Sequence, residues 1–376
     1  MKNQLKKIDW INTLFITTTP ILAGLACYYH FSIEGASIAP WVIFTIFYFL
    51  TGFSITAGYH RLFSHRAYKA RAPIRLFFLI FGAGAFQNSA LKWSTDHRRH
   101  HNKVDTDEDP YNAKRGFWYS HVGWIFFKEE DKYRGKFSSD LANDPLVMWQ
   151  HKYYLPLAVF TGIILPALLG ALFSSPIGGL AIAGLARVVF VHHCTFFINS
   201  LCHIVGKRTY NNDNTARDSA ILAFFTYGEG YHNFHHKFQT DYRNGIRWYQ
   251  FDPTKWVIYT MKKIGLAANL KKTSPQEILK ARLLADEVRT TLISPNFAES
   301  MEELRVKVEQ ASKKFQMIRI EYKKLKREFK REFEGQREET LKELKLKMKL
   351  AKLDFKTSYA RWRLLVNHPH IAVPGF

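Results

Sequence analysis

The segment PIRLFFLIFGAGAFQNSAL, Pro73–Leu91, decides how this chain is put together. It is apolar enough to cross a membrane, yet it carries Arg75, Gln87 and Asn88. His60 and His65 precede it; His97, His100 and His101 follow it. If the segment spanned a bilayer, these two sets of imidazoles would lie on opposite faces. We read it as a re-entrant or interfacial helix, with an ordinary span as the competing reading.

Four other stretches, about 11–29, 40–58, 153–173 and 178–200, approach the ~20 apolar residues that cross ~30 Å of hydrocarbon. Trp10, Trp41, Tyr153 and Tyr154 fall near their ends, where amphipathic rings prefer to lie. The first stretch is long and no clear small-residue cleavage site follows, which argues for a span over a signal peptide. Lys2, Lys6 and Lys7 precede it. The loops His30–Ile38 and Ser174–Ile177 hold no Lys or Arg, whereas His60–Lys152 and everything after Leu201 are rich in both. The positive-inside rule then puts both termini and both large hydrophilic regions in the cytoplasm. The expected fold is an all-α multi-pass membrane protein. It has a cytoplasmic N-terminus (1–10), a four-span domain with a cytoplasmic helical cap (11–270) and a basic helical tail (271–376).

The formal net charge of +22 over 376 residues points to an anionic partner. Cys27, Cys194 and Cys202 form no C-x-x-C pair, which argues against a disulfide framework or a thiolate zinc site. Three thiolates are also too few for an ordinary iron–sulfur cluster.

The histidines are grouped. HRLFSH supplies His60 and His65, HRRHH supplies His97, His100 and His101, and HNFHH supplies His232, His235 and His236. On a helix, positions i, i+3 and i+4 share a face, so each H-x-x-H-H box is expected to aim three imidazoles at one point. His60 and His65, at i and i+5, share a face less neatly and suit a helix end, reaching different ions. Eight imidazoles exceed the needs of one ion and fit two. Nitrogen ligands exclude magnesium and calcium, leaving iron, zinc, copper or nickel. Asp96, Asp109 and Glu229 lie close enough in sequence to accept a hydrogen bond from a ligating imidazole, with a surface charge as the plain alternative for each. His192 and His193 fall within the fourth span without a nameable partner. His121 reads as structural; His30, His151, His368 and His370 read as solvated.

These boxes and their flanks, AGYHRLFSHRAYKA, DHRRHHNKVDTDEDPYN, RGFWYSHVGW and GEGYHNFHHKF, resemble the membrane-bound di-iron fatty acyl desaturases of the acyl-CoA Δ9 type. The resemblance runs from about Thr51 to Trp256. It implies a ninth histidine ligand, His203, with Asn199 acting through water, both in NSLCH. It also implies two iron ions, O2 as co-substrate, and a bent acyl channel lined by Gln87, Trp93 and Thr195. Acyl-CoA would need cations for its phosphates; Lys128 is the matching candidate, although Thr95 and Glu129 depart from the family's basic pattern. No fused cytochrome, flavin turn or ferredoxin cysteine run is present, so an external donor is implied: a ferredoxin, or cytochrome b5 with its reductase. The implied location is the inner membrane if bacterial and the endoplasmic reticulum if eukaryotic. A hydroxylase or ketolase on the same histidine framework, or a non-enzymatic metal-binding scaffold, are the alternatives.

The tail holds 25 Lys and Arg against 15 Asp and Glu. Its apolar residues recur as Leu304, Val308, Ala311, Phe315, Ile318, Tyr322, Leu325 and Phe329. After Gly335 they recur through Leu341, Leu344, Met348, Phe355 and Trp362. This 4,3 spacing predicts a helical hairpin or a dimerising coiled coil. Docking to anionic lipid or to the electron donor competes there with a plain stabilising helix pair. Nothing in the chain reads as a nucleic-acid module.

Overall fold

A computed structural model describes residues 7–329 and 335–369. Among these, four helices are long and apolar enough to cross a membrane: Trp10–Ile33, Ala39–Ser64, Tyr154–Leu172 and Pro176–Ile204. The second and fourth outrun their apolar stretches because the same helices continue into the segments that carry His60 and His203. Ile11, Leu14, Ile21, Leu25 and Leu168 remain exposed, as residues facing lipid tails would.

The helix within Pro73–Leu91 is only Ala72–Ala83, 12 residues, or about 18 Å, too short to cross. Pro73 sits in its first turn, where the missing N–H costs nothing, and the helix is capped at Gly84. Phe86 and Asn88 adopt positive φ, 54° and 80°, which reverses the chain. Ser89 then caps a new helix, Ala90–Lys103, running back toward the end from which the segment entered.

A helix that stops at membrane depth strands its last carbonyls, a cost of several kcal/mol each in hydrocarbon. Here Gly82 O and Ala83 O accept from the N–H groups of Ala85 and Phe86, and two buried side chains of the fourth span meet the carbonyls of the turn that follows. Arg187 donates to Gly84 O through both terminal nitrogens (3.2 Å each) and to Gly162 O (2.8 Å). His192 Nε2 donates to Ala85 O (2.9 Å) and Phe86 O (3.2 Å). His192 therefore has partners the sequence did not name. The re-entrant helix lies tight on the second span: a Cβ on Gly58 would come 2.7 Å from Phe78 Cβ, so only glycine permits the approach.

His30 is also not solvated. It is fully buried and pairs with Glu34 (3.0 Å). The Glu34 carboxylate accepts from Ser175 Oγ and from the N–H groups of Ile177 and Gly178, closing the start of the fourth span. Burial opposes its charge, but these donors hold its pKa at about 2. His151 hydrogen-bonds Ser89 Oγ (2.7 Å). His368 is exposed; His370 lies outside the described residues.

The chain divides into two compact units, one of residues 1–208 and 213–272, the other of 209–212 and 273–376. The second contains helices Pro275–Ile293, Ala298–Phe329 and Gly335–Asn367. The last two pack on each other, so the 4,3 stripes form a hairpin within one chain. Leu283, Met301, Leu304, Val308, Trp362 and Leu365 make its core.

Candidate metal centre

The second span changes its winding before it ends. From Ser54 to Ser64 it runs as a wide helix with i→i+5 hydrogen bonds, and His65 N–H donates to His60 O at 3.1 Å. Such turns are rare and concentrate at functional sites. In a wide turn, i and i+5 stack one above the other. His60 and His65 therefore face the same way and join one group, instead of reaching separate ions as the ordinary helical period suggested.

Nine buried histidines form two groups: His60, His65, His97, His101 and His235; and His100, His203, His232 and His236. Within each group one ring nitrogen per residue lies within 4.8 Å of every other. Neither H-x-x-H-H box converges on a single point. In each box the i and i+4 members enter one group and the i+3 member enters the other. The physical reason is angular: i+3 and i+4 are about 100° apart around an α-helix, so a box placed between the two groups reaches into both. The groups meet where His101 and His236 stack, ring centroids 4.3 Å apart.

The Nε2 atoms crowd together. His60 and His235 are 3.0 Å apart, His65 and His97 2.9 Å, His101 and His235 2.9 Å, His203 and His232 3.2 Å, and His100 and His236 3.3 Å. His60 Nδ1 lies 2.9 Å from Glu229 and His100 Nδ1 2.8 Å from Asp109. Each carboxylate holds the proton on Nδ1 and leaves a lone pair on Nε2. Burial, then neighbouring imidazoles, drive the pKa values of His65, His97, His101, His232, His235 and His236 well below the ordinary range. Neutral rings with converging lone pairs repel one another unless a cation lies among them. The donor set thus fits two nitrogen-ligated metal ions.

Glu229 and Asp109 each lie against one imidazole, His60 and His100. Burial opposes the charge on both; Arg61 and His60 nonetheless pull Glu229 to about 2, and His100 pulls Asp109 down. Asp96 does not join them. Its carboxylate binds Lys92 (2.7 Å) and Arg99 (3.3 Å), because its position on the helix points it away from the imidazoles; burial raises its pKa despite both cations.

Sequence reasoning missed two supports. His203 Nδ1 meets Thr215 Oγ1 (2.8 Å), which donates to Asp105 (2.6 Å). Arg61, 1% exposed, bridges Glu229 (2.8 Å) and Asp252 (3.0 Å) and donates to Tyr242 O (2.8 Å). It ties the third box's loop to the second span. An Arg next to His60 and a Glu three residues before His232 were the only signals available.

An apolar cavity reaches the first group. His60, His97 and Trp93 lie at its metal end, and Phe15, Ile55, Phe86, Val191 and Phe196 form walls. Gln87 Nε2 donates to Thr195 Oγ1 (2.8 Å), and both line the cavity, as does Asn199. Trp93 stacks on His97 at 5.0 Å. Asn12, Asn88, Asp96, Trp124 and Ile125 also border a second, polar cavity that holds Lys92, Arg99, Lys128 and Arg134 together with Asp9, Asp107, Glu108, Asp109, Glu129 and Glu130. There Glu129 accepts from Lys92 (2.9 Å) and Arg99 (2.6 Å). His121 bridges Ser200 and His193, 3.0 Å to each.

The sequence model of the fatty acid desaturase family matches residues 36–266, the stretch that carries every histidine of both groups. A protein of Schizosaccharomyces pombe described as a probable acyl-CoA desaturase is 45% identical over 287 residues, 74% of this chain and 58% of its own. Acyl-CoA desaturase 1 of Saccharomyces cerevisiae is 41% identical over 292 residues, 76% and 56%. Human stearoyl-CoA desaturase is 39% identical over 249 residues, 64% and 68%. The chain spans little more than half the length of the two yeast proteins. The chain belongs to the fatty acid desaturase family.

Proposed function

We propose that this protein is an O2-dependent fatty acyl desaturase that introduces a cis double bond at the Δ9 position of a saturated acyl-CoA. It would act at two histidine-held iron ions with electrons from an external donor, a ferredoxin or cytochrome b5 with its reductase. The observation that carries this reading is the apolar cavity that reaches a nine-histidine site at His60 and His97. The similarity to yeast and human proteins described as acyl-CoA and stearoyl-CoA desaturases supports it.

An alkyl C–H has no acidity and no leaving group, so acid–base and nucleophilic catalysis have no grip on it. Iron bound by the nine imidazoles, with Asn199 through water, would supply O2 chemistry that side chains cannot; zinc would not. The chain's own residues hold the substrate. The apolar walls exclude water and order the acyl tail. The Gln87–Thr195 hydrogen bond crosses the channel, and Trp93 on His97 fixes the near wall, so that one C–C bond faces the site. Glu229 and Asp109 keep His60 and His100 in the metal-binding tautomer. The polar cavity beyond Asn12 and Trp124 would take the carrier, with Lys128 toward a phosphate. With four spans among the described residues, both ends of the described chain would lie on one side, and the Lys and Arg distribution supports the cytoplasm as that side.

The test is expression in a host lacking its own desaturase. New monounsaturated acyl chains are expected, and their double-bond position reads the channel. Hydroxylated chains would instead establish a hydroxylase. Unchanged lipids from a chain folded and loaded with iron would reduce the site to a metal-binding scaffold.

A further inference from the structure

The helix Gly335–Asn367 carries two apolar seams. One is spent inside the hairpin unit: Leu344, Ala351, Trp362 and Leu365 are buried. The other consists of Leu346, Leu350, Leu353, Thr357, Ala360 and Leu364, spaced 4,3,4,3,4. Its four leucines are 54–61% exposed. The stripe is straight over ~27 Å at 1.5 Å per residue, on the opposite side of the helix from the packed seam. Its flanking positions are Lys347, Lys349, Asp354, Lys356, Arg361 and Arg363, five cations to one acid, with Lys347 also paired to Glu343 at 2.7 Å.

A second copy of this helix would oppose Lys and Arg to Lys and Arg along both edges of the seam, where a coiled coil needs complementary charges. Soluble electron carriers use small, wet, charge-led contacts, which need no four-leucine stripe. A long aliphatic stripe bordered by cations matches the plane of an anionic bilayer, with leucines entering the acyl boundary and ammonium and guanidinium groups at the headgroups. We propose that the exposed face of Gly335–Asn367 docks on the anionic lipid surface of the membrane that the same chain spans. Tethering by the spans keeps that surface in reach, so even weak intrinsic affinity suffices.

The test uses the full chain in lipid nanodiscs, with Cys27 replaced by Ala and an environment-sensitive fluorophore on Leu350→Cys. In discs with roughly 30% phosphatidylserine the emission shifts blue and is quenched by brominated acyl chains. Salt reverses the shift, and adding L346Q with L353Q abolishes it. Identical spectra in neutral and anionic discs overturn the proposal. So does a shift that appears only with two copies per disc, which assigns the face to self-association, or only on adding an acidic protein, which assigns it to a donor.

Discussion

Replacing Arg187 by Met tests how the re-entrant segment is held. The change keeps the length of the side chain but removes every donor. It strands Gly84 O and Gly162 O, which Arg187 reaches at 3.2 and 2.8 Å, and it also loses Ala183 O and Thr51 Oγ1. A buried carbonyl left without a partner costs about 1–3 kcal/mol, so two give about 2–6 kcal/mol. Removing a buried guanidinium relieves part of that cost, which leaves about 2–4 kcal/mol. For a unit of this size ~1 kcal/mol moves Tm by roughly 2–4 °C, so R187M should melt at least ~4 °C below wild type. The buried thiols Cys194 and Cys202 offer the assay, since a thiol-reactive dye reports their exposure on heating. R187K should fall between the two, because an ammonium lacks the fork that spans both carbonyls. A melt of R187M within about 1 °C of wild type, below the shift expected for even one lost bond, would refute the claim that this side chain sustains the break.

Further outcomes follow from particular contacts. Asp109→Asn and Glu229→Gln should each weaken metal retention about 10–100-fold against a chelator, whereas Asp96→Asn, whose partners are Lys92 and Arg99, should leave it unchanged. Trp362→Ala, fully buried in the hairpin unit, should cost about 3–5 kcal/mol, read as lost helicity of that unit on heating. Glu34→Gln should lower Tm at neutral pH. Its folded pKa of about 2 lies below its unfolded value, so the stabilisation is full above the unfolded value and fades as pH falls through about 2. The gap between variant and wild type should close along that window.

The four spans and the histidine boxes were legible because apolar length and residue type carry them directly. The grouping within the boxes was not. A straight α-helical period puts i, i+3 and i+4 on one broad face, but the boundary between the two histidine groups divides that face, sending His100 and His235 across to the other group. His65 was misread because nothing in AGYHRLFSH announces a wide turn; only backbone hydrogen bonds reveal it. Arg187, His192 and Thr215 act through partners more than ten residues away in sequence, a distance over which no local pattern speaks. Asp96 shows the reverse error: nearness in sequence to His97 suggested an orienting carboxylate, but adjacent helical positions point about 100° apart.

The central claim is that nine imidazoles from four separate segments hold two redox-active ions side by side. Counting metal in protein purified from iron-replete cells tests it most directly. About two irons per chain are expected in the wild type, with loss of metal when His203, Nε2 3.2 Å from His232, is replaced by Ala in a chain that still folds in membranes. One ion per chain, zinc alone, or an undiminished metal count in His203→Ala would contradict the account.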